Sequence, residues 1–216
     1  MRLIIATGNK HKVEEIRKIL GQTKTNQKNT KTKKKIQKKG KKIGKKTKRK
    51  QEKIELKQIN IKLHEPKSNS VEKIAKAKAK QAFKKIGKPL IAEDTGIYFT
   101  ALKNFPGTEP KRQYLKLEFK GLLKKIEGKK RNAFYKTVIC FIDEKGKTKT
   151  FTGILKGKIT KKVFLEKKDV MAYEKIFVPQ GKKRVLAFFS RASKNKFSHR
   201  AKAAEKLKKF LEKQFS

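Results

Sequence analysis

Residues 2–20 read RLIIATGNKHKVEEIRKIL, and they set the architecture. Leu3, Ile4, Ile5 and Ala6 form a short apolar run, which is a buried strand in embryo. Thr7-Gly8-Asn9 turns the chain. Val13, Ile16, Ile19 and Leu20 then recur at helical spacing, which predicts a helix from Lys10 to Leu20. Strand, glycine turn and helix in that order open an α/β fold.

Working outward, the pattern is lost in residues 21–53. That stretch holds 16 Lys/Arg, one acid (Glu52) and two large apolar residues, Ile36 and Ile43. It lacks the apolar surface to offset the entropy of ordering, so it reads as a disordered or weakly helical Lys-rich insert. Over the whole chain of 216 residues the formal charge is +46, and 35% of residues are hydrophobic. Setting the insert aside raises the apolar share to about 40%, or about 46% with glycine, within the globular range of roughly 45–50%. The expectation is one domain over 1–216, interrupted by the 21–53 insert.

Beyond the insert, the alternation of Ile54, Leu56, Ile59, Ile61 and Leu63 predicts a strand around 59–63. A helix follows over 70–86, with Ser70 as its N-cap and Gly87-Lys88-Pro89 as its stop. Leu90-Ile91-Ala92 reads as a short strand that delivers Glu93-Asp94-Thr95-Gly96 to its end, with 97–102 extended beyond. Phe105-Pro106-Gly107 is a turn, 115–126 a helix, 133–142 and 149–159 a hairpin, and 201–215 a final helix.

Several classes are excluded by the same reading. No apolar run approaches the roughly 18–20 residues of a membrane span. The run at Leu3–Ala6 is too short for the apolar part of a signal peptide. A single cysteine, Cys140, gives no internal disulfide and no Cys-based zinc site, which points to a reducing, cytoplasmic setting. His11, His64 and His199 are too scattered for a zinc motif.

Four groups of residues could carry chemistry. A strand-to-helix turn such as Thr7-Gly8-Asn9 leaves backbone N–H groups for a phosphate, with Lys12 adding a charge; an ordinary capped turn uses the same residues. Glu93-Asp94 at the end of an apolar strand suits Mg²⁺, which takes oxygen ligands plus substrate phosphates. Two acids could equally neutralise neighbouring lysines. Glu65 is a candidate second metal ligand or a solvated loop acid. Ser198-His199-Arg200 offers donors for an anion or oxo group, or else an N-cap with basic neighbours.

Taken together, these motifs resemble the inosine triphosphate pyrophosphatase family. Thr7-Gly8-Asn9-x-x-Lys12, Glu93-Asp94-Thr95-Gly96, Ala101-Leu102-x-x-Phe105-Pro106-Gly107, Phe151-x-Gly153, Ile176-Phe177-Val178-Pro179 and Ser198-His199-Arg200-x-Lys202-Ala203 occur in the family's order. The resemblance implies an α/β fold with an elongated mixed sheet, flanking helices and two lobes around a central cleft, usually homodimeric. It implies Mg²⁺-dependent hydrolysis of ITP, dITP and XTP to monophosphate and pyrophosphate. By position, Thr7, Gly8, Asn9, Lys10, His11 and Lys12 would hold the triphosphate. Glu65 and Asp94 would hold metal, with Asp94 also the proton acceptor. Thr95, Lys194, His199 and Arg200 would contact substrate, and Met171, Ala172, Tyr173 and Glu174 occupy the stretch that would meet the base. Met171 stands where the family has an aromatic, Glu174 where it has Asp, and Lys175 where it has Pro. Val185-Leu186-Ala187-Phe188 lacks an acid of the family pattern, and Glu109-Pro110 replaces a Tyr-Ser-like pair.

Two further readings compete. One is a catalytically weakened member serving as a basic polyanion- or nucleic-acid-binding protein, with the insert as its sequence-blind contact. The other is a related nucleotide pyrophosphatase that acts on a different modified base.

Overall fold

The computed structural model describes residues 2–21 and 54–214. The expected disorder of the insert thus lies outside the described residues, Gly21 alone being placed, in a turn. The motif over 2–20 forms as read: strand β1 (Arg2–Ala6), then helix α1 (Lys10–Ile19). Strand β2 (Glu55–Ile59) lies parallel to β1. Helix α2 (Val71–Ile86) leads to β3 (Leu90–Phe99), which pairs parallel to β1 at Leu90 and Ile91. A short β4 (Phe105–Gly107) folds back on β3, and helix α3 (Pro110–Lys125) follows. The hairpin β5 (Asn132–Ile142) and β6 (Thr148–Ile159) comes next, then β7 (Phe177–Pro179), a one-turn α4 (Arg191–Lys194) and the last helix, α5 (His199–Gln214). The result is a seven-stranded mixed sheet, ordered β2-β1-β3-β5-β6-β7 with β4 beside β3, flanked by helices.

The apolar residues explain the layers. Leu3, Ile5, Ile91, Ile139 and Phe151 point to one face of the sheet, where α1 and α5 cover them. Ala6, Leu90, Ala92, Val138 and Cys140 point to the other face, under Val71, Ala75, Ala79 and Ala82 of α2. A third cluster fills the far half, with Ile97, Phe99, Tyr135 and Leu155 packed against Leu122, Ile126, Tyr173 and Phe177.

Phe105–Gly107, expected as a turn, pairs with β3 as strand β4, and Thr100–Leu102, expected as extended, is a short helical turn. Three element boundaries are corrected as well. The second strand is Glu55–Ile59, not 59–63. Its partner β1 offers only five residues, pairing Arg2 with Glu55 through Ala6 with Ile59, so there is nothing for 60–63 to pair with. Ile61 and Leu63 pack against the α2 cluster instead. Next, Glu93-Asp94 does not end a strand. Because β5 supplies a continuous partner from Ile142 to Ala133, β3 runs unbroken from Leu90 to Phe99, and the acids sit mid-strand. They lie just past Ile91, where the parallel pairing with β1 stops. Last, α3 starts five residues early, with Pro110 in its first turn, and is interrupted at Glu118, whose φ is 50°.

Candidate active site

The alternation of β3 sorts its polar residues onto opposite faces of the sheet. Glu93 and Thr95 point toward α1 and α5; Asp94 points toward α2. Adjacent in sequence, the two carboxylates therefore have separate partners.

On the α1/α5 side, Glu93 takes Lys12 Nζ at 2.8 Å and Arg200 Nη2 at 3.4 Å. Arg200 also donates to Glu15 Oε2 at 2.6 Å. Lys194 Nζ stands 3.6 Å from Glu15 and donates to both oxygens of Glu174, at 3.1 and 2.9 Å. Charges thus alternate from Lys12 through Glu93, Arg200, Glu15 and Lys194 to Glu174, and all but Lys12 are buried. Arg200, only 1% exposed, is the hub. Burial opposes ionisation of Glu93, but Lys12 and Arg200 outweigh it and hold the carboxyl far below its usual range. Burial is likewise overcome at Glu15 by Arg200 and Lys194. At Glu174 burial prevails over Lys194 and raises the carboxyl.

A line of hydroxyls branches from this network. Thr95 Oγ1 donates to Glu93 Oε2 at 2.9 Å and meets Thr137 Oγ1 at 2.5 Å, and Thr137 meets His199 Nδ1 at 2.8 Å. With Thr95 donating to the carboxylate, Thr137 donates to Thr95, and His199 Nδ1–H donates to Thr137. Burial, with Arg200 adding to it, holds the His199 imidazole well below its ordinary pKa, so the ring is neutral. It stacks on Tyr135, with centroids 4.5 Å apart.

On the α2 side, Lys78 Nζ lies 2.7 Å from Glu65 Oε1 and 3.5 Å from Asp94 Oδ1. Asp94 Oδ2 is buried and has no hydrogen-bond partner. Burial pushes the Asp94 carboxyl up to about 6, Lys12 and Lys78 pulling the other way without cancelling it.

The structure brings together Lys12, Thr95, Glu174, Lys194, His199 and Arg200 of the expected site, with Glu65 and Asp94 joined by Lys78. The turn behaves differently from expectation. Asn9 caps α1, its side chain accepting from the amides of His11 at 3.0 Å and Lys12 at 3.3 Å, so those two N–H groups are already engaged. Thr7 Oγ1 accepts from the Asn9 amide. Gly8 lies close to the Asn60 side chain, whose Oδ1 would stand 2.7 Å from a Cβ placed there. Lys10 is exposed at the start of α1, and His11 pairs with Arg191 at 2.8 Å and Asp169 at 3.7 Å. Tyr173 belongs to the core beside Phe99 and Tyr114, while Met171 and Ala172 are half-buried just ahead of it. The expected pair of donors at His199 and Arg200 is also revised. With Nδ1 carrying the proton, His199 Nε2 is an acceptor, and Arg200 is committed to two carboxylates and Thr95 Oγ1 apart from its Nε–H, which is buried and unpartnered.

Sequence reasoning missed Glu15, Lys78 and Thr137. The first two carried a signal. Glu15 falls among Val13, Ile16 and Ile19 on the buried stripe of α1, and Lys78 among Ala75, Ala79 and Ala82 on that of α2. A charge on an apolar stripe needs a buried partner. Nothing in the sequence distinguishes Thr137 from other strand threonines.

A mixed sheet flanked by helices, with a buried network of alternating charges beside an unsatisfied carboxylate oxygen, defines an α/β protein of the kind that binds ligands at the ends of its strands. Residues 3–210 match the model of the Ham1 family, and the chain belongs to that family. It is 39% identical over 151 residues to the dITP/XTP pyrophosphatase of Saccharolobus solfataricus, covering 68% of this chain and 76% of that protein. To the dITP/XTP pyrophosphatase of Hyperthermus butylicus it is 31% identical over 210 residues, covering 97% and 94%. The fold is shared with a HAM1 protein from Coxiella burnetii, with a TM-score of 0.70 at 21% identity over 99% of each chain.

Proposed function

We propose that this protein hydrolyses ITP, dITP and XTP to the nucleoside monophosphate and pyrophosphate. The observation that carries the reading is the unpartnered Asp94 Oδ2 beside the Lys78 and Lys12 cations, just past the end of the β1–β3 pairing. The relatives named dITP/XTP pyrophosphatase support the same chemistry. The non-enzymatic reading is not favoured, because it leaves the buried network without a purpose.

A divalent cation fits the donor set. Among the described residues no cluster of three or more His, Cys, Asp or Glu could hold a metal unaided. Glu65 and Asp94, however, already share one cation, Lys78, and leave one oxygen unsatisfied. Mg²⁺ is commonly held by one or two carboxylates plus substrate phosphates, so Glu65 and Asp94 would hold it together with the nucleotide. When bound, it would neutralise phosphate charge and acidify a water. The chain's own residues do the rest. Asp94 Oδ2 takes a proton from water as the oxygen attacks the α-phosphorus; the bond to the β-phosphate bridging oxygen breaks, and pyrophosphate leaves. Lys12 and Lys78 stabilise the negative charge that develops on the phosphates. Selectivity for a 6-oxo over a 6-amino base follows from the relatives named dITP/XTP pyrophosphatase.

A single domain over 1–216, a cytoplasmic setting, homodimerisation and nucleic-acid contact through the insert go with this proposal on the strength of composition and resemblance. No helix among the described residues is long and apolar enough to cross a membrane. The test is hydrolysis of ITP, XTP, ATP and GTP with Mg²⁺ and with EDTA. ITP and XTP turned over faster than ATP, and only with metal, is the expected result; equal rates on all four would refute the base assignment.

A further inference from the structure

The outer edge of β6 carries a basic groove that the hydrolytic reading does not use. β7 pairs with β6 only from Gly157 to Ile159, so among the described residues no strand covers Thr148–Lys156 on the side away from β5. Lysines of α5 close over this edge. Lys202 Nζ donates to Ile154 O at 2.9 Å and Lys206 Nζ to Thr152 O at 2.8 Å. In an antiparallel strand the N–H and C=O of a residue leave on the same side, so the amides of Thr152 and Ile154 point into the groove as well. A cavity of about 440 Å³ opens here, lined by Thr152, Ile154, Lys196, Lys202, Glu205 and Lys206. Ile154, at the rim, is 41% exposed.

Charge decides what such a groove receives. Outside residues 21–53 the chain has 48 Lys/Arg and 17 Asp/Glu. Five of those acids, Glu15, Glu65, Glu93, Asp94 and Glu174, are tied to cations of the candidate active site. Little acid is left to balance the surface, and the groove has only Glu205 against its lysines. A concave wall with three lysines against one glutamate focuses the field more than a convex helix does. A second copy pairing edge to edge would bring the two sets of lysines together, and Lys on an edge strand blocks that pairing.

We propose that the β6-edge groove docks the phosphate backbone of a single-stranded nucleic acid. A concavity of this size seats a short stretch of one strand rather than a duplex. No aromatic ring lines it, so binding is sequence-blind and arises from charge, with Ile154 giving the bases one apolar contact. The site is independent of the hydrolytic reading, and the residues that form it all lie outside 22–53.

The test is fluorescence anisotropy of a labelled oligothymidylate against salt, with full-length protein. One variant carries Lys196→Glu, Lys202→Glu and Lys206→Glu, the three lysines that line the groove. A control carries Lys73→Glu, Lys80→Glu and Lys84→Glu on the exposed side of α2, an identical change in net charge. The groove variant is expected to raise Kd at least tenfold and lower the salt slope by about 2, from about 0.7 per released phosphate, while the control changes Kd less than threefold. If the triple groove variant fails to melt cooperatively, Lys196→Glu alone should lower the slope by about 0.7. Equal losses in both triple variants would make the affinity a property of the whole surface and overturn the proposal. So would binding lost only on removal of residues 22–53, or a groove variant whose sole change is a smaller oligomer by light scattering.

Discussion

Asp94→Asn separates the chemistry of the site from its effect on the fold. In the folded chain, burial pushes the Asp94 carboxyl from 3.8 up to about 6. A raised carboxyl means that the ionised form is worse accommodated in the native state than in the unfolded one. About two units at 1.36 kcal/mol each come to roughly 3 kcal/mol. Below pH 3.8 both states hold the proton and the group has no effect. As pH rises toward about 6 the unfolded chain ionises first, so native stability falls, and the loss is complete once the folded carboxyl ionises as well. Asn cannot ionise and escapes the loss. Urea unfolding in EDTA, followed by circular dichroism, should give equal stabilities at the acid end of this range. Above pH 6 the variant should be more stable by up to about 3 kcal/mol, the attraction of Lys12 and Lys78 being already counted in the net shift. With Mg²⁺ restored, ITP hydrolysis should fall by a factor of about 10² or more. A variant less stable than wild type above pH 6, or one that retains near-full activity, would refute the reasoning.

Other perturbations follow from the same contacts. Gly153→Ala should lower stability by about 3 kcal/mol and abolish activity, as read by thermal melts and turnover, because the new Cβ would stand 1.9 Å from His199 O and 2.7 Å from Ala203 N, both backbone atoms of α5. Glu15→Gln should cost about 3 kcal/mol in urea unfolding, since it leaves the buried Arg200 and Lys194 short of one charge. Replacing residues 22–53 by a short linker should preserve a cooperative melt and ITP turnover, because the segment supplies only Ile36 and Ile43 as large apolar residues.

The fold was legible wherever one local rule governed. Residues 2–20 gave β1, its turn and α1 because a short apolar run and a 3.6-residue period need no distant partner to be recognised. Ser70 capped α2 as read, its side chain accepting from the Lys73 amide. Legibility failed where a partner strand set the boundary. Five residues of β1 fixed the end of β2, and the length of β5 carried β3 straight through Glu93-Asp94. The site shows the same division. Lys12, Asp94, His199 and Arg200 stand in recognisable motifs, but the pairing of Glu15 with Arg200 spans 185 positions in sequence, and that of Thr137 with His199 spans 62. The engagement of the His11 and Lys12 amides by Asn9 was foreseeable, because Asn is a strong N-cap and accepts those very protons.

The central claim is that the reaction cuts between the α- and β-phosphates of a purine nucleoside triphosphate at Asp94. Product analysis of XTP hydrolysis by ion-exchange chromatography, with wild type and Asp94→Asn side by side, tests it most directly. Wild type should release XMP and pyrophosphate in equal amounts from the earliest time point, and the variant should release neither above background. XDP and orthophosphate as the first products, or XMP and pyrophosphate formed undiminished by the variant, would contradict it.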